Sequence, residues 1–251
     1  MNALHTLLVN AHILVGAIAL VLFWIPIVAK KGSALHVRAG KLYTYAMYFV
    51  SVSAFLASVM VLADPIGIRR PGLELDPEDA IELAEAFRMF ALFLLMLSVL
   101  VFTSIRHGLA ALRVRHEPDA IRNTLHRGLL LTLGALGVAV GGLGLLKTQW
   151  LLVIFGGISI SGAVGMFRDT RIESFTRSDR LVAHLGGLIG SGIGAYTAFF
   201  AFGGSRVLAD LLPGQWQVVS WVIAPVIGTI AIRRLTRRYQ KPARLRSGRT
   251  A

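Results

Sequence analysis

Runs of apolar residues alternate with short charged stretches along the whole chain. A helix needs about 20 mostly apolar residues to cross a hydrocarbon layer of roughly 30 Å, and each run approaches that length. The pattern predicts an all-α, polytopic transmembrane bundle occupying residues 1–234, followed by a basic tail at 235–251. The seven predicted spans cover about 5–29, 43–63, 87–105, 128–146, 150–167, 181–202 and 216–232.

Composition supports this class of protein. Hydrophobic residues make up 55% of the chain and charged residues only 16%, with a mean hydropathy of +0.67, which is too apolar for a soluble domain. The net charge of +13 does not indicate nucleic-acid binding, because that needs a basic face on a folded domain, and here the basic residues lie in connections and the tail. Cysteine is absent, which excludes disulfides and thiolate metal sites.

The basic residues also predict the orientation of the bundle. All but five of the 26 lysines and arginines fall on one side of a seven-span arrangement, and loops rich in them stay in the cytoplasm. We therefore expect the N-terminus outside and the C-terminus in the cytoplasm. Anionic lipids are the expected partners of these loops and the tail. The five exceptions are Arg69, Arg70, Arg88, Lys147 and Arg206.

The largest predicted outer connection runs from Asp64 to Arg88 and holds seven of the 13 acidic residues. Within it, Asp76 and Pro77 read as a helix start, because Asp can cap a helix and Pro suits its first position. We expect this helix to continue into the third span. The acidic connection is interpreted as a solvated loop, with a cation-collecting vestibule as the alternative.

Small residues recur every fourth position in the later spans, a spacing that lets helix backbones approach closely. This spacing predicts that spans four to six form a tight sub-bundle. The residues are Gly137, Gly141, Gly157, Ser161, Gly165, Gly186, Gly190 and Gly194.

Histidines are the ionisable candidates for chemistry near the spans. His107 ends span three, His126 begins span four and His184 lies one turn inside span six, so three helices place an imidazole at similar depth near the cytoplasmic face. Two imidazoles from different helices can ligate one b-type haem. The favoured pair is His126 with His184, with His107 as the alternative ligand. Propionate partners would be Arg106 and Arg127. The competing interpretation is that all these groups are interfacial.

A second candidate site lies in the first span. His12 sits about one third of the way in from the outer end, with Asn10 nearby. The two side chains are candidates for lining a small-molecule path. The alternative is that His12 makes a hydrogen bond between packed helices.

The connection between spans one and two carries the most distinctive motif of the chain. Lys31-Gly32-Ser33 is followed by His36, Arg38, Gly40, Lys41 and Tyr43, and His12 and Gly16 stand upstream in a His-x3-Gly pattern. This combination resembles a family of uncharacterised multi-pass bacterial membrane proteins known only as a domain of unknown function. The resemblance covers spans one and two, with a weaker echo at 180–199. It implies a multi-pass location in the bacterial plasma (inner) membrane and no particular activity. This chain departs from the family pattern at Val37 and Lys41, where the family carries arginine.

Enzyme motifs are lacking: the chain has no His-Glu-x-x-His, no Gly-x-Ser-x-Gly and no phosphate-binding loop. The sequence thus favours a small-molecule permease or an accessory membrane subunit over an enzyme. A haem-binding electron-transfer protein is the alternative. A metal, a protein partner and a homo-oligomer all stay open at this point.

Overall fold

A computed structural model describes residues 2–203 and 218–246, and these residues form helices with no β-strand among them. Eight α-helices are numbered α1 to α8 in chain order. They are α1 (Asn2–Val28), α2 (Ala34–Ala63), α3 (Pro65–Arg69), α4 (Pro77–Arg113), α5 (Thr124–Leu146), α6 (Trp150–Asp169), α7 (Arg177–Ala198) and α8 (Val218–Arg246). A 3₁₀ turn, Pro118–Ile121, precedes α5, and a π-helical turn, Phe199–Gly203, extends α7.

Six of these helices are long and apolar enough to cross a bilayer: α1, α2, α4, α5, α6 and α7. They coincide with the first six predicted spans, so the prediction of an all-α chain with several helices long and apolar enough to cross a membrane is confirmed. The seventh predicted span overlaps α8, whose apolar part is followed by the basic segment in the same helix. Trp216, Arg206 and residues 247–251 lie outside the described part of the chain.

The connector between α1 and α2 shows why its residues are distinctive. Gly32 adopts φ +80°, a conformation that favours glycine, and Ser33 caps α2 by accepting a hydrogen bond from the backbone N–H of His36. Lys31 Nζ donates to the backbone carbonyl of Pro26, and His36 Nδ1 donates to the same oxygen at 2.9 Å. The connector side chains thus satisfy a carbonyl near the end of α1 that lacks a partner within the helix.

The third span belongs to a much longer helix. α4 begins at Pro77, with Glu78 and Asp79 in its first turn, and continues for 37 residues to Arg113. The expected union of the acidic outer helix with span three is confirmed. At 1.5 Å per residue the helix is about 55 Å long, so it exceeds the hydrocarbon thickness at its ends. The residues of α4 that follow position 105, where the third predicted span ends, therefore remain helical.

The chain divides into two compact units. The first comprises Met1–Thr103 with Arg127–Phe167. In it, α1 packs along α2, and a core of Leu95, Val99, Leu133 and Ala163 joins α4, α5 and α6.

The second unit comprises Ser104–His126 with Arg168–Ala251. Its buried apolar cluster contains Ala110 and Ala111 from α4, Ile121 from the 3₁₀ turn and Phe175 from the loop before α7. Thr176 starts α7 with a capping box, in which its hydroxyl and Asp179 satisfy each other's backbone N–H groups. The cluster and the cap hold the ends of several helices together in this unit.

Close backbone contacts confirm part of the glycine prediction and correct the rest. α5 and α6 touch at Gly156, where an added Cβ would come within 2.7 Å of Gly137 O and Gly141 Cα. In α7 the predicted contacts at Gly186 and Gly190 are wrong, because a Cβ at either position would meet no heavy atom within 4 Å. The every-fourth-residue pattern of small residues does not indicate which face of α7 packs against a neighbouring helix. A Cβ added at Gly157 or Gly165 would likewise meet no heavy atom within 4 Å.

Candidate functional site: a buried Asp–His–His chain

Three helices of the second unit supply a connected set of ionisable side chains. His107 lies six residues before the end of α4, His126 lies in the first turn of α5, and Asp169 is the last residue of α6. Both histidines are buried, with 2% and 0% of their surface exposed. The Asp169 side chain is 33% exposed. The set therefore runs from a partly exposed carboxylate to a fully buried imidazole.

Hydrogen bonds join the three residues in a line. His107 Nε2 donates to Asp169 Oδ2 at 3.0 Å, and His107 Nδ1 lies 3.1 Å from His126 Nε2. The two imidazole rings are stacked, with centroids 5.3 Å apart and planes inclined by 19°. Each link is at hydrogen-bonding distance. The side chains thus form a continuous path for a proton.

Neighbouring polar residues hold the chain in place. Asn123 Oδ1 accepts a hydrogen bond from the backbone N–H of His126 at 2.9 Å and from Arg106 Nη2 at 3.3 Å. Arg122 donates to the carbonyls of Ile172 and Glu173, which tethers the start of α5 to the loop that follows α6. These contacts fix the start of α5, which carries His126, against α4 and against the loop that follows α6.

Two buried nitrogen atoms of this site have no hydrogen-bond partner among the described residues: His126 Nδ1 and Arg106 Nε. Nearly all buried polar atoms in folded proteins are paired, so each exception calls for an explanation. Both belong to residues that bond Asn123 Oδ1, Arg106 through its side chain and His126 through its backbone N–H.

His184, the third predicted haem ligand, is placed on α7 against α4. Its Nδ1 donates to Gly108 O at 3.2 Å. Beside it, α4 and α7 touch at the backbone level, because a Cβ on Gly187 would lie 2.9 Å from Gly108 Cα and would also overlap Ser104 O. The close approach of these helices fills the space that a flat macrocycle would need at this contact.

Geometry also bears on haem ligation by the other pair. Metal–imidazole bonds are about 2 Å long, so ligands on opposite sides of one iron need about 4 Å between their nitrogens. The facing nitrogens of His107 and His126 are 3.1 Å apart and bonded to each other, so these two rings do not fit opposite-side ligation. Within the described chain, no group of three or more His, Cys, Asp or Glu side chains could hold a metal ion. The haem hypothesis stays a prediction that this arrangement does not favour.

The other predicted site residues are separated from this set or from one another. Arg127, proposed as a propionate partner, is exposed. His12 Nδ1 lies 3.0 Å from both Val50 O and Ser53 Oγ, so it joins α1 to α2. Asn10 is exposed, and residues two apart on a helix do not face the same side. The geometry of His12 matches the helix-packing interpretation.

Sequence reasoning found both histidines but missed Asp169 and Asn123. A signal for Asp169 is present: an acidic residue at a helix C-terminus opposes the helix dipole, which favours cations there. Such a local conflict often marks a functional position. The pattern could not show that α6 ends beside His107.

Comparison with protein-family models, with curated proteins and with solved structures gave no match. The functional argument for this chain therefore rests on its own geometry.

Proposed function

We propose that the protein is a seven-span, proton-coupled permease with its N-terminus outside and its C-terminus in the cytoplasm. Contacts between α7 and α8 support the seventh span. Ser178 Oγ, at the start of α7, donates to Tyr239 O, late in α8, at 3.1 Å. Farther along, Ile193 lies against Gly228. α8 therefore runs antiparallel to α7, over about 22 Å of helical rise in α7 and about 17 Å in α8, and brings the chain back towards the level at which α7 began.

The distribution of charge supports the same topology. Seven spans put the basic segment from Arg233 on the same side as the other basic connections, whereas six spans would put it on the opposite side. The positive-inside rule favours the first arrangement. The connector motif around Gly32 and Ser33, which resembles that of a family of multi-pass bacterial membrane proteins, supports a bacterial plasma membrane.

The buried chain from Asp169 through His107 to His126 is the observation that carries the functional proposal. Ionisable residues inside membrane helices are costly and typically line ion paths or proton relays. Here two buried imidazoles are linked to a carboxylate that is 33% exposed to solvent. An accessory subunit held together by apolar contacts would not need such a connected set.

Each residue has a defined role in the relay. Asp169 exchanges a proton with water at the exposed end. His107 accepts a proton on Nε2 while it releases one from Nδ1, because a neutral imidazole has one donor and one acceptor nitrogen. His126 then receives the proton on Nε2. The fixed contacts of Asn123 and Arg122 keep the rings aligned for this transfer.

Proton flux through the purified protein tests the proposal. The protein is reconstituted into vesicles that contain a pH-sensitive dye and a mixture of small organic anions and neutral solutes, and a pH step is applied. We expect Asp169→Asn and His107→Gln to reduce the protein-dependent flux to that of empty vesicles. The control is His116→Gln, which changes an exposed histidine and should leave the flux intact. Equal fluxes for wild type and a well-folded Asp169→Asn protein would overturn the relay.

A further inference from the structure

The relay ends at a nitrogen that has no hydrogen-bond partner among the described residues. His126 Nδ1 is buried, and within the described chain it makes no hydrogen bond; the same is true of Arg106 Nε. Asn123 Oδ1 accepts hydrogen bonds from Arg106 Nη2 and from the backbone N–H of His126, so both residues lie beside Asn123. A neutral water could satisfy either atom, but a permanently charged guanidinium beside a protonatable imidazole suits an anion better.

Counting protons shows when His126 Nδ1 can donate. Each of the two links, Asp169 to His107 and His107 to His126, holds one proton. A chain with two protons therefore leaves Nδ1 bare and able only to accept a hydrogen bond. A third proton has two terminal places, the free oxygen of Asp169 or Nδ1 of His126. Loading the relay from the exposed end thus makes a donor available at the buried end.

Charge balance points to the kind of ligand. With two protons the relay carries one negative charge, on Asp169, and Arg106 compensates it. With three protons the site carries one net positive charge. A monovalent anion restores neutrality, which matters because an uncompensated buried charge is costly. The loaded relay therefore fits one small anion.

Building on the proposed proton relay, we infer that Arg106 and His126 bind the anion of a small weak acid, such as a monocarboxylate, and that His126 Nδ1 protonates it. The N–H bond at Nδ1 breaks and an O–H bond forms on the carboxylate. Before this step the two link protons lie on Asp169 and on His107 Nδ1. His107 passes its Nδ1 proton to His126 Nε2 and takes the proton of Asp169 on Nε2. The products are a neutral acid and a relay with two protons; no electron is transferred.

The transported species would be the neutral acid, which carries no charge through the bilayer. A proton and an anion thus move together without net charge movement. An anion that stays deprotonated, such as chloride, could meet Arg106 but could not take the proton. A neutral amide of the same shape would lack the charge that Arg106 pairs with. These differences define the probes.

Acetate, chloride and acetamide are compared as ligands of the full chain in detergent. We expect acetate to raise the thermal unfolding midpoint, more strongly at pH 6 than at pH 8, and to take up protons from a weakly buffered solution. Chloride should stabilise the protein less than acetate and take up no protons, and acetamide should do neither. Arg106→Gln and His126→Gln should weaken acetate binding by about tenfold or more, since each removes a charge-assisted hydrogen bond. Arg127→Gln, which changes an exposed neighbour, is the matched control.

The relay and the anion site can fail separately. Proton flux that depends on Asp169 but ignores acetate, with no acetate effect on unfolding, would overturn the anion site and leave the relay standing. Flux that does not depend on Asp169 would instead overturn the relay. Equal stabilisation by chloride and acetate, without proton uptake, would also contradict proton transfer to the ligand. Arg106→Lys, which keeps the charge, should bind acetate better than Arg106→Gln and so separates charge from folding defects.

Discussion

At the scale of single residues, the protonation states of two adjacent imidazoles decide what the site can do. Asp169 fixes the tautomer of His107, because a carboxylate accepts the Nε2 proton and leaves Nδ1 as an acceptor. His126 must then donate through Nε2. One carboxylate thus sets the state of a ring that it does not touch.

Nitrogen NMR of histidine-labelled protein can test this order. At alkaline pH we expect protons on Nε2 of both His107 and His126, and a bare Nδ1 on His126. Lowering the pH should add a proton at His126 Nδ1. In Asp169→Asn the carboxylate no longer fixes which ring nitrogens carry protons, so both rings should exchange between tautomers. His116, which is exposed, supplies the reference signal. A protonated His126 Nδ1 facing a bare Nε2 at alkaline pH would show that the chain is ordered in the opposite direction.

The sequence predicts residues of this site only where a single helix carries the information. His107 and His126 were found because each lies near the end of an apolar run. Their direct hydrogen bond depends on how α4 and α5 face each other, which periodicity does not give. Predicting that Asp169 belongs to the site requires two facts: that its charge opposes the dipole of α6, and that this helix ends beside His107.

At the scale of helices, glycine marks contacts only when it faces the neighbour. Gly187 and Gly190 stand three residues apart on α7, yet only Gly187 lies against α4. The every-fourth-residue pattern chose Gly186 and Gly190. The contact lies one residue away from Gly186, and a shift of one residue turns a helix by about 100°.

The two glycines provide a matched pair of variants. Gly187→Ala should destabilise the protein by about 1–3 kcal/mol, because its methyl group would overlap Ser104 O and Gly108 Cα. Gly190→Ala should be neutral or slightly stabilising, because alanine favours helix and the space is open. Thermal unfolding in one detergent gives the comparison. A Gly190→Ala protein that unfolds at the lower temperature would contradict the assigned face.

A similar pair tests the contact between α5 and α6. Gly156→Ala should lower the unfolding temperature, because the methyl group would lie within 2.8 Å of Gly141 backbone atoms. Gly157→Ala, one residue along, points into open space and should not. Equal losses from the two variants would mean that the helices separate freely at this contact.

At the scale of the whole molecule, the number of spans decides where the basic C-terminal segment lies. Six apolar helices follow from hydropathy alone, and the sequence predicted all six. The seventh is harder to recognise from composition because its apolar stretch is short and continues into basic residues in one helix. The pairing of α7 with α8 supplies what hydropathy does not.

Single cysteines can test the topology directly, since the chain has none. An impermeant thiol reagent applied to intact cells should label a cysteine at Glu78 in both arrangements. A cysteine at Ser247 should be labelled only after the membrane is opened, if there are seven spans. Labelling of the Ser247 variant in intact cells would show that the chain crosses the membrane an even number of times.

The connector between α1 and α2 has a consequence for how the protein is made. Lys31 and His36 join the end of α1 to the start of α2 through Pro26 O, and His12 bonds across to Ser53 near the other end. Because every one of these contacts lies within the first 53 residues, the hairpin can close while the ribosome is still synthesising the later helices. The first two spans can then leave the translocation channel as one preformed piece, with the polar edge of His12 already covered before it meets lipid.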